Sequence, residues 1–103
     1  MDTQRKKGLL DICVLAALMR EPSYGYRIVS DLEPVIDVSE STLYPILRRL
    51  EKNGSVSTYS QEHNGRLRKY YRIEEPGRER VRTFLDEADE MRRIYTYAEE
   101  ASK

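Results

Sequence analysis

The sequence predicts a small, mainly α-helical domain that carries one β-hairpin. Three stretches with apolar residues at helical spacing precede residue 55, and a tyrosine-rich stretch with an Asn-Gly pair at its centre follows them. A last stretch, with apolar residues at alternating spacings of three and four, completes the chain. A length of 103 residues suits one domain with one added element.

Two helices are expected in the first third of the chain. The run Leu9 to Met19 is apolar on nearly every side, as in a helix buried at the centre of a small domain. Ser23 is expected to cap a second helix, which Pro34 ends. One face of this helix has residues four apart: Tyr24, Ile28 and Leu32. Residues 35–38 then form either a brief edge strand or an extended connector.

A third helix is expected over residues 39–53. Its inward stripe has the i, i+3, i+4, i+7 spacing: Leu43, Ile46, Leu47 and Leu50. Its opposite face consists of Ser41, Pro45, Arg48 and Lys52, flanked by Tyr44 and Arg49. Such a face suits a helix that lies in the DNA major groove, although most helices also have a charged solvated face. The proline removes one helical hydrogen bond, so either the helix bends near this end or it begins after Pro45.

A β-hairpin is expected over residues 56–73. Asn64 and Gly65 form the strongest short hairpin signal, and a two-residue turn there pairs Tyr59 with Tyr70. Three basic residues lie near the tip: Arg66, Arg68 and Lys69. Such residues can contact a phosphate backbone, and they can also protect exposed strand edges. Three helices followed by a hairpin form the winged helix-turn-helix plan.

Pro76 is expected to open a last helix, which gives a DNA-binding domain over residues 1–75 and a dimerisation helix over residues 76–103. The apolar seam of this helix consists of Val81, Phe84, Leu85, Ala88, Met91, Tyr95 and Ala98. Packing against the chain's own core would also need an apolar stripe. Because three heptads exceed what so small a domain can cover, a homodimer is the favoured interpretation.

The formal net charge of zero conceals an uneven distribution. Residues 39–73 contain seven Lys and Arg against three Asp and Glu, whereas residues 74–103 contain six against nine. A basic middle segment beside an acidic tail indicates a polyanionic partner.

Several other classes of function are not expected. Cys13 is the single cysteine and lies in an apolar run, and His63 is the single histidine and lies beside the predicted turn. We therefore expect no enzyme, no metal site and no cofactor. The first apolar run follows Arg5, Lys6 and Lys7, but Asp11 interrupts it, so neither a signal peptide nor a membrane span is expected. A cytoplasmic location follows as an expectation.

Three motifs together resemble the PadR family of bacterial transcriptional regulators. They are YGYRI at residues 24–28, STLYPILRRLEKNG at 41–54 and GRLRKYY at 65–71, the last followed by Pro76 and Gly77. The resemblance covers roughly residues 8–85, and the short tail is similar to the small branch of the family. It implies a repressor that binds promoter DNA as a homodimer. The family's DNA contacts then fall on Ser41, Thr42, Tyr44, Pro45, Arg48, Arg66, Arg68 and Lys69.

The resemblance leaves two questions open. Small family members that bind flat aromatic compounds hold them between subunits with the help of tryptophan, and this chain has none. A small aromatic effector at the dimer interface is therefore an expectation that competes with simple packing of the same side chains. The alternative function is a winged-helix protein-interaction module without sequence-specific DNA binding.

Overall fold

A computed structural model describes residues 3–103, with side chains from Gly8 onward, so the side chains of Arg5, Lys6 and Lys7 lie outside the described part. The elements in chain order are α1 (Thr3–Ala17), α2 (Gly25–Leu32), α3 (Glu40–Lys52), β1 (Val56–His63), β2 (Arg66–Ile73) and α4 (Glu75–Ala101). The predicted fold class, mainly α with one small hairpin, is confirmed.

The first helix begins and ends earlier than the apolar run predicts. It ends at Ala17, and a tight turn follows in which Leu18 N and Met19 N donate to Leu15 O and Ala16 O at 3.0 and 3.1 Å. The backbone therefore leaves the helix inside the apolar run, although Leu18 remains buried.

The predicted capping role of Ser23 is wrong. Helix α2 begins one residue later than that cap would require, with Tyr24 at the N-cap and no side-chain cap. Ser23 instead pairs with Tyr71 through two backbone hydrogen bonds, 3.1 and 2.7 Å long. The pairing holds Ser23 in extended conformation beside β2, where its hydroxyl cannot reach the first turn of α2.

The core lies where α1, α2, α3 and the base of the hairpin meet. Its fully buried side chains include Val14, Leu15, Leu18, Ile28, Leu43, Leu47 and Leu50. The alternative of an edge strand over residues 35–38 is wrong: exposed Val35 ends a turn that follows α2, and the connector continues without regular structure to buried Val38. The predicted inward stripe of the third helix is confirmed in full, because Leu43, Ile46, Leu47 and Leu50 are all buried.

The hairpin has the predicted register. Val56 lies opposite Ile73 and Tyr59 opposite Tyr70, and the turn residues Asn64 and Gly65 have φ of 53° and 78°. Positive φ at both positions is the geometry of a type I′ turn, which Asn-Gly adopts most readily. We call the hairpin of residues 56–73 the wing.

Helix α4 packs against the core only through its first turns. Gly77 and Val81 are buried, and a Cβ on Gly77 would lie 2.5 Å from Ser55 O, so glycine permits this close approach. Ser55 is itself buried, and its hydroxyl donates to Asn53 Oδ1 at 2.6 Å, so the entry to the wing is firmly held. Beyond Ala88 every residue of α4 is exposed, and the molecule measures 60 × 25 × 23 Å.

Over the described residues, no helix combines the length and apolar character that a membrane span requires.

Candidate nucleic-acid interface

The outward face of α3 is formed as predicted. Ser41, Pro45, Arg48 and Lys52 are all exposed, because the four buried residues of the inward stripe occupy the other side of the helix. The backbone N–H of Thr42 donates to the Ser39 hydroxyl at 3.3 Å, so Ser39 is the N-cap. Thr42 is exposed in the same first turn and its hydroxyl lies 3.2 Å from that of Ser39.

Pro45 lies inside a continuous helix. Helix α3 runs from Glu40 to Lys52 through the proline, so the alternative in which the helix begins after Pro45 is wrong. The ring is exposed on the outward face. The proline is therefore placed where it can touch a ligand of this face without disturbing the core.

Tyr44 does not flank the outward face as the helical spacing suggests. It is half-buried against the core, and its ring covers Gly25 at the start of α2. A Cβ on Gly25 would lie 2.3 Å from the Tyr44 hydroxyl oxygen. The tyrosine thus fixes the contact between α2 and α3, and it remains partly exposed.

Arg49 also turns away from the outward face. It forms a salt bridge and hydrogen bond with Asp11 of α1, and Arg80 of α4 reaches the other carboxylate oxygen at 3.3 Å. The sequence pattern does not predict this three-residue cluster, because Asp11 there only interrupts an apolar run. A lone carboxylate in such a run is the signal that could have indicated a buried ion pair.

The basic residues of the wing occupy two different faces. Residues alternate along a strand, so Arg66, Arg68 and Arg72 share one face and Lys69 lies on the other. Lys69 Nζ is 3.9 Å from Glu51 Oε1 on α3 and 5.6 Å from the centroid of the Tyr71 ring. The Arg68 guanidinium lies 3.9 Å from the centroid of the Tyr24 ring. Arg66 is exposed at the tip.

Three of the predicted contact residues are free cations. Among the side chains of residues 8–103, Arg48, Lys52 and Arg66 form neither a salt bridge nor a cation–π contact, whereas Arg68, which also lacks a salt bridge, lies over the Tyr24 ring. An open cleft of about 390 Å³ lies between the start of α2, Tyr44 of α3 and strand β2 of the wing. It is lined by Tyr24, Gly25, Tyr26, Tyr44, Arg68, Lys69 and Tyr71. Burial raises the pKa of the Tyr71 phenol, and the neighbouring Tyr44 and Glu51 add to this.

Comparison with known proteins identifies the family. The model of the transcriptional regulator PadR-like family matches residues 14–83, which is more than half of the chain. The chain belongs to the PadR-like family of transcriptional regulators. The resemblance seen in the three sequence motifs is thereby confirmed.

Solved structures of PadR-like and related proteins share the fold. The structure of smu.1704 from Streptococcus mutans is 37% identical, with a TM-score of 0.80 over 91% of this chain and 89% of that one. A PadR family regulator from Eggerthella lenta is 32% identical, with a TM-score of 0.77 over 94% and 87%. PadR of Bacillus subtilis, solved in complex with operator DNA, is 21% identical, with a TM-score of 0.69 over 75% of this chain and 46% of that one.

The predicted seam of this PadR-like chain separates into a covered and an uncovered part. Val81 is buried, and Phe84 and Ala88 are half-buried. The remaining four residues are exposed: Leu85, Met91, Tyr95 and Ala98. A groove of about 630 Å³ follows the half-buried and exposed part, with Leu9 of α1 on its opposite wall.

Proposed function

We propose that this PadR-like regulator binds a two-fold symmetric operator as a homodimer, through α3 and the wing, and represses the promoter that contains it. The observation that carries the proposal is the group of free cations on adjacent elements: Arg48 and Lys52 on α3, and Arg66 on the wing. Their charges are available to phosphates or base edges because no carboxylate of the described residues pairs with them.

In the proposed complex, α3 is the recognition helix and lies in the major groove. Arg48 can donate a pair of hydrogen bonds to a guanine edge, and the hydroxyls of Ser41 and Thr42 can reach phosphate oxygens. The Pro45 ring offers an apolar contact to a thymine methyl group. Bacillus subtilis PadR, which shares the fold, was solved in complex with operator DNA, and this supports DNA as the partner.

The wing contributes positioning rather than sequence reading. Arg66 is exposed at the tip, where it can lie along the phosphate backbone beside the groove that α3 occupies. Lys69 lies at the cleft between the wing and α3, and its ammonium group faces Glu51 at 3.9 Å. A phosphate in this cleft would compete with that carboxylate for the lysine.

Dimerisation through α4 accounts for the uncovered seam. The helix has 27 residues and is about 40 Å long, and its distal half overhangs the domain. Met91 is 44% exposed and Tyr95 is 60% exposed, although both continue the seam that begins at buried Val81. A second copy of α4, packed against this face and Leu9, would cover them. Two recognition helices would then meet half-sites about 34 Å apart.

The groove beside the seam is large enough to hold either side chains of a partner subunit or a small molecule. Its volume of about 630 Å³ lies within the range of small-molecule sites, and Phe84, Met91 and Tyr95 provide aromatic and polarisable surface. Side chains of the partner subunit are the first candidate occupant. A small flat aromatic effector is the second, and its binding would alter how the two recognition helices are spaced.

Selection from a random duplex DNA library tests the proposal. We expect an enriched two-fold symmetric motif with half-sites about 10 base pairs apart, and an affinity for it that falls steeply with salt. Failure to enrich any motif, together with weak binding that salt removes, would contradict the proposal and favour the protein-interaction module. Expression of a reporter behind the selected operator, with and without the regulator, separates repression from activation.

A further inference from the structure

Five side chains form a continuous stack that joins α2 to both strands of the wing. The Arg68 guanidinium lies 3.9 Å from the Tyr24 ring centroid. The rings of Tyr24 and Tyr70 meet edge to face, with their centroids 5.5 Å apart. The rings of Tyr70 and Tyr59 stack with centroids 5.3 Å apart and an interplanar angle of 10°. Arg72 closes the far end, 4.8 Å from the Tyr59 centroid. We call these five residues the tyrosine ladder. Each contact is of a kind that stabilises proteins.

The ladder lies at the boundary between the anchored base of the wing and its projecting tip. Val56, Tyr71 and Ile73 are buried at the base, whereas residues 60–67 are all exposed. An isolated two-stranded hairpin is marginally stable in water, so the direction of the tip depends on what holds its base. The ladder is therefore placed where it can set that direction.

The two faces of the wing are held by different partners. On one face, Thr58 Oγ1 and Lys69 Nζ reach the carboxylate of Glu51 on α3, at 3.1 and 3.9 Å. On the other face the support comes from Tyr24, which is the N-cap residue of α2. The backbone pairing of Ser23 with Tyr71 brings Tyr24 alongside β2. Loss of Tyr24 would remove the aromatic link of this second face to α2 and leave, at the base of the face, the hydrogen bond from Ser57 to Glu74 at the start of α4.

We propose that Tyr24 is a positioning residue for DNA binding: its ring, through the ladder, holds the wing at the angle that presents Arg66 to the phosphate backbone. This rests on the proposed function, since it requires the wing to touch DNA. Arg68 then acts as the end of the ladder and not as a free contact to DNA. The ring of Tyr24 performs this role, and its hydroxyl is not required.

The inference is tested with Tyr24→Phe, Tyr24→Ala, Arg66→Ala and the double variant Tyr24→Ala/Arg66→Ala. Operator affinity is measured by fluorescence anisotropy over a range of salt concentrations. We expect Tyr24→Phe to bind within about two-fold of the unmodified protein, and Tyr24→Ala to bind about ten-fold more weakly. Tyr24→Ala should also reduce the slope of log affinity against log salt by about one per protomer, as Arg66→Ala does.

The double variant distinguishes positioning from two separate contacts. If Tyr24 acts through the wing, Arg66→Ala costs little further affinity once Tyr24 is alanine. Additive losses, or a Tyr24→Phe variant as weak as Tyr24→Ala, would overturn the inference, because the tyrosine would then contact DNA independently. Should Tyr24→Ala fail to fold, Tyr24→Leu removes the aromatic face while retaining volume, and the same outcomes apply.

Failure of the proposed function has a different signature. If the unmodified protein lacks salt-dependent operator binding, both proposals are overturned. If it binds the operator but Arg66→Ala binds equally well, the wing contact and the positioning role are overturned, while operator recognition by α3 is decided by Arg48→Ala. If Arg66→Ala weakens binding while Tyr24→Ala does not, only the positioning role is lost.

Discussion

Arg49 of α3 donates a hydrogen bond to the carboxylate of Asp11 on α1, whose exposed fraction is only 8%. Arg80 of α4 pairs with the second oxygen of the same carboxylate at 3.3 Å. One buried charge therefore joins the proposed recognition helix to the proposed dimerisation helix. Both arginines are partly exposed, so water shares the solvation of the cluster.

The first prediction concerns this shared carboxylate. Asp11→Asn keeps the shape but removes the charge, and we expect it to lower the free energy of unfolding by about 1–3 kcal/mol. Urea denaturation at one fixed protein concentration measures the loss. Asp31→Asn is the matched control, because Asp31 is exposed and its pairing with Arg27 is 3.9 Å long. An equal loss in both variants would show that Asp11 contributes no more than a surface ion pair.

The second prediction separates the two neighbouring arginines of α3. Arg48 is exposed on the outward face, whereas Arg49 is engaged by Asp11. Arg48→Ala should weaken operator binding and relax the preference at one base position, at a cost of about 1–3 kcal/mol, with thermal stability unchanged. Arg49→Ala should lower the melting temperature while the base preference is retained. Binding to a panel of single-base operator variants, paired with thermal unfolding, checks both, and the opposite pattern would contradict the assignment.

The third prediction concerns the contact between Gly25 and Tyr44. A Cβ at residue 25 would lie 2.3 Å from the Tyr44 hydroxyl oxygen, so Gly25→Ala must displace the tyrosine. We expect a loss of about 1–3 kcal/mol of stability by overpacking. Gly8→Ala is the control, because nothing lies within 4 Å of a Cβ there and alanine is favoured in a helix. Chemical denaturation compares the two, and a Gly25→Ala variant as stable as Gly8→Ala would show that Tyr44 moves aside freely.

The fourth prediction concerns the seam of α4. Met91→Glu places a charge in the middle of the proposed dimer contact, so sedimentation should show a monomer that binds the operator weakly. Tyr97→Glu is the control, since Tyr97 is 78% exposed and lies off the seam, and this variant should remain dimeric. An unmodified protein that sediments as a monomer at micromolar concentration would contradict dimerisation altogether.

The sequence predicts the fold well because its strongest signals are local. The stripe of Leu43, Ile46, Leu47 and Leu50 has helical spacing, and Asn64-Gly65 determines both the turn and the register of the wing. These features depend on residues close together in the chain. Helix ends were less accurate, because Ser23 is recruited by β2 and does not cap α2.

The candidate site was only partly predictable, because side-chain partners come from distant parts of the chain. Spacing alone places Tyr44 and Arg49 beside the outward face. In the structure, the Tyr44 ring packs over Gly25, and Arg49 donates a hydrogen bond to Asp11. Arg68 counts as a wing cation in the sequence, yet its guanidinium lies over Tyr24. Arg48 and Arg66, in contrast, have no such partners among the described side chains and remain where the pattern predicts.

Pro45 has a consequence for what the outward face of α3 can recognise. A proline nitrogen has no hydrogen to donate, so Ser41 O lacks the i+4 donor that an ordinary residue at position 45 would supply. The helix therefore leaves one main-chain acceptor without its usual donor, in the turn that precedes the proline. In a major groove, such an acceptor matches the amino group of cytosine or adenine. Substitution of the Ser41 side chain would leave that acceptor in place. Pro45→Ala would supply the missing N–H and restore the hydrogen bond of Ser41 O within the helix.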